Sequence, residues 1–342
     1  MTVGDDYAEM RRLYDLGALE QAAGLYRDAV KRETADSDIH ALGVRIFQGL
    51  GQDAIARRLA LHHQRLHPAN HTFSIALSEI AFNARALSES FKHASHAEGL
   101  CPGDPQVVSQ LARLHAIRGD HSLAQRYIDN LDDGQDAARA RLRTFNTLQR
   151  VWRTRKPGAS AAALDSGAIN LIAVMIGAED IAGIIEASGK RIHPGEVAGP
   201  DGALVKPEIR RVQAAALEPE DGVESVYSAL FSRFNPASSG SLYPLEVAQY
   251  LRYDGSSEDH YDWHVDNGGG RFNARVWTLI VMLSDADAYV GGDLQIRTPR
   301  GQDSLRLESG SGVLFRSRFQ HRVTPVTAGV RSALAMWFSQ TN

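Results

Sequence analysis

The sequence predicts an α+β chain of two domains, an N-terminal stack of helical hairpins followed by a C-terminal jelly roll of short strands. Three observations carry this. Glycines and small residues recur at a 34-residue step through the first third. From Tyr243 onward the apolar pattern shifts from a period of about 3.6 to one of 2, with glycines between the runs. A length of 342 residues suits two domains better than one small one. The expected organisation is a repeat domain over 1–156, a connector of helix and loop over 157–204, and a strand-rich domain over 205–342.

In the first third, Gly17, Gly51 and Gly119 fall on the 34-residue step, with Arg85 at the missing place. Each marks where the first helix of a pair ends and the chain turns, a place that favours glycine. Ala22, Ala56, Ser90 and Ala124 share the step, and their small side chains let two helices approach closely. Pro68 and Pro102 repeat it again. Apolar residues at helical spacing fill the units: Leu42, Ile46, Phe47, Ile55 and Leu59 in one, Phe73, Leu77, Ile80, Leu87 and Phe91 in the next. Over about residues 3–131 this pattern resembles the tetratricopeptide repeat (TPR) family, in nearly four units. The large aromatic usual at the fourth position of a unit is replaced by His40, Ser74 and Val108. The resemblance implies a stack with a concave face, which either receives a partner or braces the second domain. His62, His63, His67, His93 and His96 read as surface or groove residues, because no second cluster in the repeat supplies further metal ligands.

Residues 132–156 continue as a helix that caps the stack, and a helical run is expected from Ala159 to Ser188. The stretch from Gly189 to Arg211 is turn-rich, and Val223–Asn235 reads as one amphipathic helix able to cover a sheet. Expected strands are Leu245–Tyr253, Arg275–Leu283, Gly292–Arg297, Ser311–Phe315, His321–Val323 and Ser332–Phe338.

Composition sets the outer limits. The hydrophobic fraction of 43% and charged fraction of 23% are those of a globular chain. A net charge of -4 gives no general reason to expect nucleic acid as a partner. Cys101 is the single cysteine, so no disulfide can form within the chain. The N-terminus lacks a basic-then-apolar signal pattern, and the run Ala168–Ala178 is too short to span a bilayer. A cytoplasmic protein without a membrane partner is the expectation.

The chemistry concentrates at His264-Val265-Asp266. Residues two apart on a strand face the same way, which would bring an imidazole and a carboxylate together. His321, at a strand end, supplies a second imidazole. Two histidines and one carboxylate make the facial set of ligands for a non-haem iron(II), with positions left open. The segments YDGSSEDHYDWHVDN (253–267), LIVMLSDADAYVGGDLQI (279–296) and GVLFRSRFQHRVTPVTAGVRSALAMWF (312–338) surround these residues in order. Together they resemble the prolyl-4-hydroxylase type of iron(II)- and 2-oxoglutarate-dependent oxygenase, across roughly residues 205–340.

That resemblance implies a double-stranded β-helix, Fe(II) on His264, Asp266 and His321, 2-oxoglutarate and O2 as cosubstrates, and ascorbate as an auxiliary reductant. Arg331 would pair with the far carboxylate of 2-oxoglutarate, with Tyr253 and a hydroxyl of Ser332 or Thr324 beside it. Tyr261, Asn267 and Arg271 are expected on the substrate side; Asn267 could also orient Asp266, and the glycine-rich 268–273 either covers the entrance or is a plain turn. Gly291-Gly292-Asp293-Leu294 fits a tight turn into a strand, with Asp293 structural. Because Asp266 is retained, hydroxylation is favoured over halogenation, while desaturation and cyclisation stay open. The implied substrate is a prolyl or other residue of a peptide or protein, or alternatively a free amino acid or small metabolite. The different class of reading is a non-catalytic interaction or sensor protein.

Overall fold

The helices of the first part keep a strict step. Four hairpins run in order: α1 (Val3–Asp15) with α2 (Leu19–Lys31), α3 (Ser37–Gly49) with α4 (Asp53–Leu66), α5 (His71–Asn83) with α6 (Leu87–Leu100), and α7 (Pro105–Arg118) with α8 (His121–Asp129). First helices begin at 3, 37, 71 and 105, and second helices at 19, 53, 87 and 121. This computed structural model describes residues 3–32, 36–155, 165, 167–173, 175–189, 191–199, 202–219, 222–233, 242–267 and 274–341. Arg271 and the rest of the expected entrance segment 268–273 lie outside the described residues.

The turn glycines hold the left-handed conformation that ends each first helix: φ is 75° at Gly17, 69° at Gly51 and 92° at Gly119. Arg85 takes the same conformation at φ 65° despite its Cβ. At the helix crossing, Ala22, Ala56, Ser90 and Ala124 are all fully buried. Ser90 is the polar exception, and it is satisfied. Its hydroxyl donates to the Ser78 carbonyl at 2.8 Å, the Ser78 hydroxyl donates to the Ser90 carbonyl at 2.8 Å, and Gln110 donates to both hydroxyls at 3.2 Å. First helices start on side-chain caps: Asp36 Oδ1, Asn70 Oδ1 and Asp104 Oδ1 accept from the opening backbone amides of α3, α5 and α7.

After α9 (Asp136–Thr154) the chain builds two facing sheets. The elements are β1 (Asn170–Ile172), α10 (Ala178–Gly189), β2 (His193–Pro194), β3 (Val197–Gly199), β4 (Gly202–Leu204), β5 (Arg210–Arg211), β6 (Gln213–Leu217), α11 (Glu224–Ser232), β7 (Leu242–Pro244) and β8 (Ala248–Asp254). They continue with β9 (His260–His264), β10 (Trp277–Met282), β11 (Tyr289–Gly291), β12 (Leu294–Thr298), β13 (Gly301–Leu305), β14 (Gly312–Arg316), β15 (His321–Val323) and β16 (Val326–Gln340). The larger sheet runs β1-β14-β10-β16-β8-β6-β2, with β7 and β11 also paired to β16. The smaller runs β13-β12-β15-β9-β5, and β3 pairs β4 alone.

The helix expected over Ala159–Ser188 is corrected. Asn170–Ile172 is instead an edge strand on β14, and among the described residues of that stretch helix begins at Ala178; residues 159–164, 166 and 174 lie outside the described residues. The connector 157–204 therefore also supplies β1 and β2 to the larger sheet.

Strand alternation on β16 divides the interior. Ala333, Ala335 and Trp337 face the gap between sheets, with Leu294, Ile296 and Phe315. Leu334, Met336 and Phe338 face the other way, into a core shared with Leu148 and Trp152 of α9 and Phe231 of α11. Trp152 Nε1 donates to the Leu242 carbonyl at 2.9 Å and Gln149 Nε2 to the Pro244 carbonyl at 2.6 Å. The repeat stack is thus joined to the sheet through one continuous apolar core. Among the described residues, no helix is long and apolar enough to cross a membrane.

Candidate metal centre

His264 ends β9 and His321 opens β15, and antiparallel pairing sets the two residues directly opposite each other. Their rings lie 4.1 Å apart between centroids. Only His264 is on the strand. Asp266 sits on the bend that follows, so the same-face argument for the pair is corrected: the carboxylate is brought in by the turn, fixed where Asp266 N donates to the Ser317 carbonyl at 2.9 Å. One ligand atom from each of His264, Asp266 and His321 lies within 4.8 Å of the others. Asp266 Oδ1 is 3.6 Å from His264 Nε2, and Oδ2 is 3.4 Å from His321 Nε2. Ligands about 2.1 Å from a common ion stand roughly 3.0–3.4 Å apart, and the 3.6 and 3.4 Å separations from Asp266 to the two imidazoles are close to that spacing. Side chains 15%, 9% and 6% exposed for His264, Asp266 and His321 leave a narrow approach from solvent.

The outer hydrogen bonds favour Nε2 as ligand. His264 Nδ1 lies 2.8 Å from the Asp262 carbonyl and His321 Nδ1 lies 3.0 Å from the Phe319 carbonyl. A carbonyl can only accept, so each Nδ1 carries the proton and each Nε2 keeps its lone pair. Burial, and then the neighbouring His321, push the His264 imidazole far below its ordinary value, so it is neutral when a cation arrives. Burial alone would raise the Asp266 carboxyl. His321, His264 and hydrogen bonding from Thr278 outweigh it and hold the group below the usual range.

Support for Asp266 comes from the larger sheet. Thr278 on β10 donates its hydroxyl to Asp266 Oδ2 at 2.6 Å and lies 3.0 Å from the Ser317 hydroxyl. Trp337 on β16 pairs with Thr278 across the sheet. Its indole N–H is buried without a full hydrogen bond, yet lies close enough to Asp266 to lower that carboxyl. Sequence reasoning singled out none of Thr278, Ser317 and Trp337 as supports of this carboxylate. No spacing signal links Thr278 of β10, Trp337 of β16 and Ser317 in the turn after β14. Asn267, considered as the group orienting Asp266, is partly exposed immediately after it.

Tyr261 on β9, opposite Val323 of β15, stacks its ring on His264 at 3.5 Å and 13°. Burial pushes its hydroxyl up to about 12. The stacking fixes the imidazole plane and makes Tyr261 one wall of the site.

Arg331 on β16 pairs with Tyr253 on β8, and its guanidinium carbon lies 5.1 Å from that ring. It is 2% exposed, its Nε has no hydrogen-bond partner, and no carboxylate pairs with it among the described residues. An unpaired buried cation costs several kcal/mol, so this position is built to meet an anion. Gly292 makes the room: with φ 67°, a Cβ there would come within 2.8 Å of Arg331 Cδ. Burial raises the Tyr253 hydroxyl, which remains a donor. Asp293 pairs with Arg306 at 3.3 Å, away from the donor cluster. Thr324 accepts from the Asp293 amide at 2.9 Å.

Ser332, expected beside the cosubstrate, is corrected. As the neighbour of Arg331 on a strand it faces the opposite side, 3.1 Å from the Tyr250 hydroxyl.

Residues 248–339 match the family model described as the 2OG-Fe(II) oxygenase superfamily. A PKHD-type hydroxylase of Azoarcus sp. (strain BH72) is 40% identical over 111 residues, covering 30% of this chain and 48% of the relative. Another, of Hyphomonas neptunium, is 34% identical over 135 residues, covering 38% and 60%. The chain spans about half the length of the curated relatives it matches. Among solved structures, a prolyl hydroxylase of Trichoplax adhaerens in complex with a hypoxia inducible factor peptide fragment is 20% identical with a TM-score of 0.42, covering 51% of this chain and 84% of that one. A TPR protein of Thermus thermophilus is 20% identical with a TM-score of 0.38, covering 44% and 88%.

Proposed function

We propose that the chain is an iron(II)- and 2-oxoglutarate-dependent dioxygenase that hydroxylates an unactivated carbon, most naturally of a prolyl or other residue in a peptide or protein. The observation that carries this reading is the buried Arg331 guanidinium without an anion, on the sheet that also supports a two-histidine, one-carboxylate cluster. A bare structural histidine pair would need no such cation.

His264 Nε2, Asp266 and His321 Nε2 would hold the iron, and Arg331 would hold the far carboxylate of 2-oxoglutarate through its planar fork. When bound, iron and 2-oxoglutarate supply the oxidising chemistry: O2 is consumed, 2-oxoglutarate is decarboxylated to succinate, and a substrate C–H becomes C–OH. The protein's own work is orientation. Thr278 fixes the lone-pair direction of Asp266, Tyr261 fixes the plane of His264, and Tyr253 offers a hydroxyl proton toward the anion that Arg331 attracts. Apolar Ile296, Phe315 and Val326 line the same gap and exclude bulk water.

The hairpin stack fits the TPR arrangement in its 34-residue step. Its inner helices α5 and α7 border a depression of about 220 Å³ lined by Glu79, Gln106, Ser109, Gln110 and Arg113. Polar side chains of this kind suit the backbone of an extended peptide, which supports a macromolecular substrate or partner there.

The test is succinate release by the iron-loaded chain with 2-oxoglutarate, O2 and ascorbate, read beside a gain of one oxygen atom in the acceptor. Cell-extract peptides and proteins are supplied in one arm and small metabolites in the other. Stimulation by the macromolecular arm, abolished in Asp266→Ala, is expected. Stimulation only by metabolites would move the substrate class. No succinate in either arm, with iron occupancy verified, would remove the enzymatic reading.

A further inference from the structure

We propose a second metal site, distinct from the one above, at the junction between the third and fourth hairpins: His71, Cys101 and Asp104 bind one zinc-type divalent ion. The sequence gives no hint of it as a motif, because the three residues occupy the ends of three different helices. His71 is the first residue of α5, Cys101 the C-cap of α6, and Asp104 the N-cap of α7. The repeat brings them together, with one ligand atom of each within 4.8 Å of the others.

The geometry is prepared on each side. Asp104 spends Oδ1 on the cap, accepting from Gln106 N at 2.9 Å and Val107 N at 3.1 Å. This pins the carboxylate and turns Oδ2 to His71 Nε2, 3.2 Å away. The backbone at Cys101 is held by its amide donating to the Ala97 carbonyl at 2.9 Å. Side-chain exposures of 26% for His71 and 23% for Asp104 leave solvent access for an ion and for a water in a fourth position.

The preceding junction shows what the repeat does there without a metal. The equivalent positions, one 34-residue step earlier, are Ser37, His67 and Asn70. Asn70 caps α5 and donates through Nδ2 to the Ser37 hydroxyl at 3.3 Å. The scaffold thus sets these positions side by side in either case. At one junction they carry a plain hydrogen bond. At the next they carry nitrogen, sulfur and oxygen ligands, the donor set that a borderline-soft tetrahedral ion takes. Cys101 would bind as thiolate, its proton passing to solvent, and the bound ion would clasp the third hairpin to the fourth.

Cobalt(II) alone is the probe, added anaerobically to the metal-free 342-residue chain. Because Cys101 is the single cysteine, any near-ultraviolet thiolate-to-cobalt band reports this site and not the other. Two equivalents, enough for both sites, should produce the band in the wild-type chain, and it should reach the same final intensity in Asp266→Ala. Cys101→Ser should abolish it. Asp104→Asn retains a capping oxygen, as Asn70 does, so the metal-free variant should melt like wild type while binding cobalt more than about tenfold more weakly. A wild-type chain that fills its histidine-rich site without a thiolate band overturns the proposal. So does a band undiminished in both Asp104→Asn and His71→Ala, since a cysteine acting alone would give that result.

Discussion

In the proposed site Arg331 and Thr278 serve opposite ends, and their substitutions separate. Arg331→Gln removes a cation whose breaking from a buried partner costs about 3–5 kcal/mol, so the KM for 2-oxoglutarate should rise at least about 100-fold with iron affinity unchanged. Without cosubstrate the same variant should be no less stable than wild type, because Arg331 has no anion to lose. A large loss of stability in the cosubstrate-free variant would mean that Arg331 serves the fold. Thr278→Val leaves Asp266 without its 2.6 Å donor, and iron affinity measured by equilibrium dialysis should fall about 10–100-fold. Unchanged affinity would show that Ser317 and the neighbouring indole suffice. The clustered His264, Asp266 and His321, proposed as ligands, could be singled out in sequence because His264 and Asp266 are near neighbours inside ordered motifs. Their supports were not, since Thr278 of β10, Trp337 of β16 and Ser317 in the turn after β14 are far apart in sequence and meet Asp266 only in the fold. Ser332 was misread because its neighbour Arg331 owns the inward face of β16.

The helical hairpins were legible through period alone, and their departures from it carry measurable costs. Arg85 holds a conformation with φ 65° where the other units place glycine. Left-handed backbone costs a residue with a Cβ about 1–2 kcal/mol, so Arg85→Gly should gain roughly 1 kcal/mol in urea unfolding, while Arg85→Ala should not. Equal effects of the two would place the change in the lost side chain. In the second unit His63 stacks on His40 at 3.7 Å, with His62, His67 and Phe73 around it. Burial, and then His40, His62 and His67, push its imidazole down to about 4. The unfolded chain, with an ordinary value near 6.5, therefore binds the proton first as pH falls. Stability should be full above about pH 6.5 and drop by roughly 2–3 kcal/mol toward pH 4, and His63→Leu should flatten that slope. A slope unchanged in His63→Leu would assign it elsewhere. Short edge strands such as β1, β2 and β5 were not legible, because two or three residues cannot display alternation.

Across the whole molecule, the two predicted halves share an apolar core. Trp152 of α9 packs on Phe231 and Phe338 and caps the Leu242 carbonyl, so the stack and the sheet hold each other. The metal-free chain should unfold in one calorimetric transition, and Trp152→Ala should cost about 3–5 kcal/mol and split it in two. Two well-separated transitions in the wild-type chain would show that the shared core is weak. The sequence marked the change of period near Tyr243 but not this union, since a solvent-facing and a sheet-facing apolar stripe on α9 look alike in one dimension.

β16 lies between β8 and β10 in the larger sheet although it follows both in the chain. On the ribosome, which releases a chain from its N-terminus, β8 and β10 therefore emerge with their facing edges bare, and nothing earlier can fill the slot. Such edges recruit strands from other molecules. The hairpin stack and α9, which share an apolar core with this sheet in the finished fold, precede these strands in the chain. The order of synthesis thus sets the whole repeat domain ahead of the sheet whose core it shares.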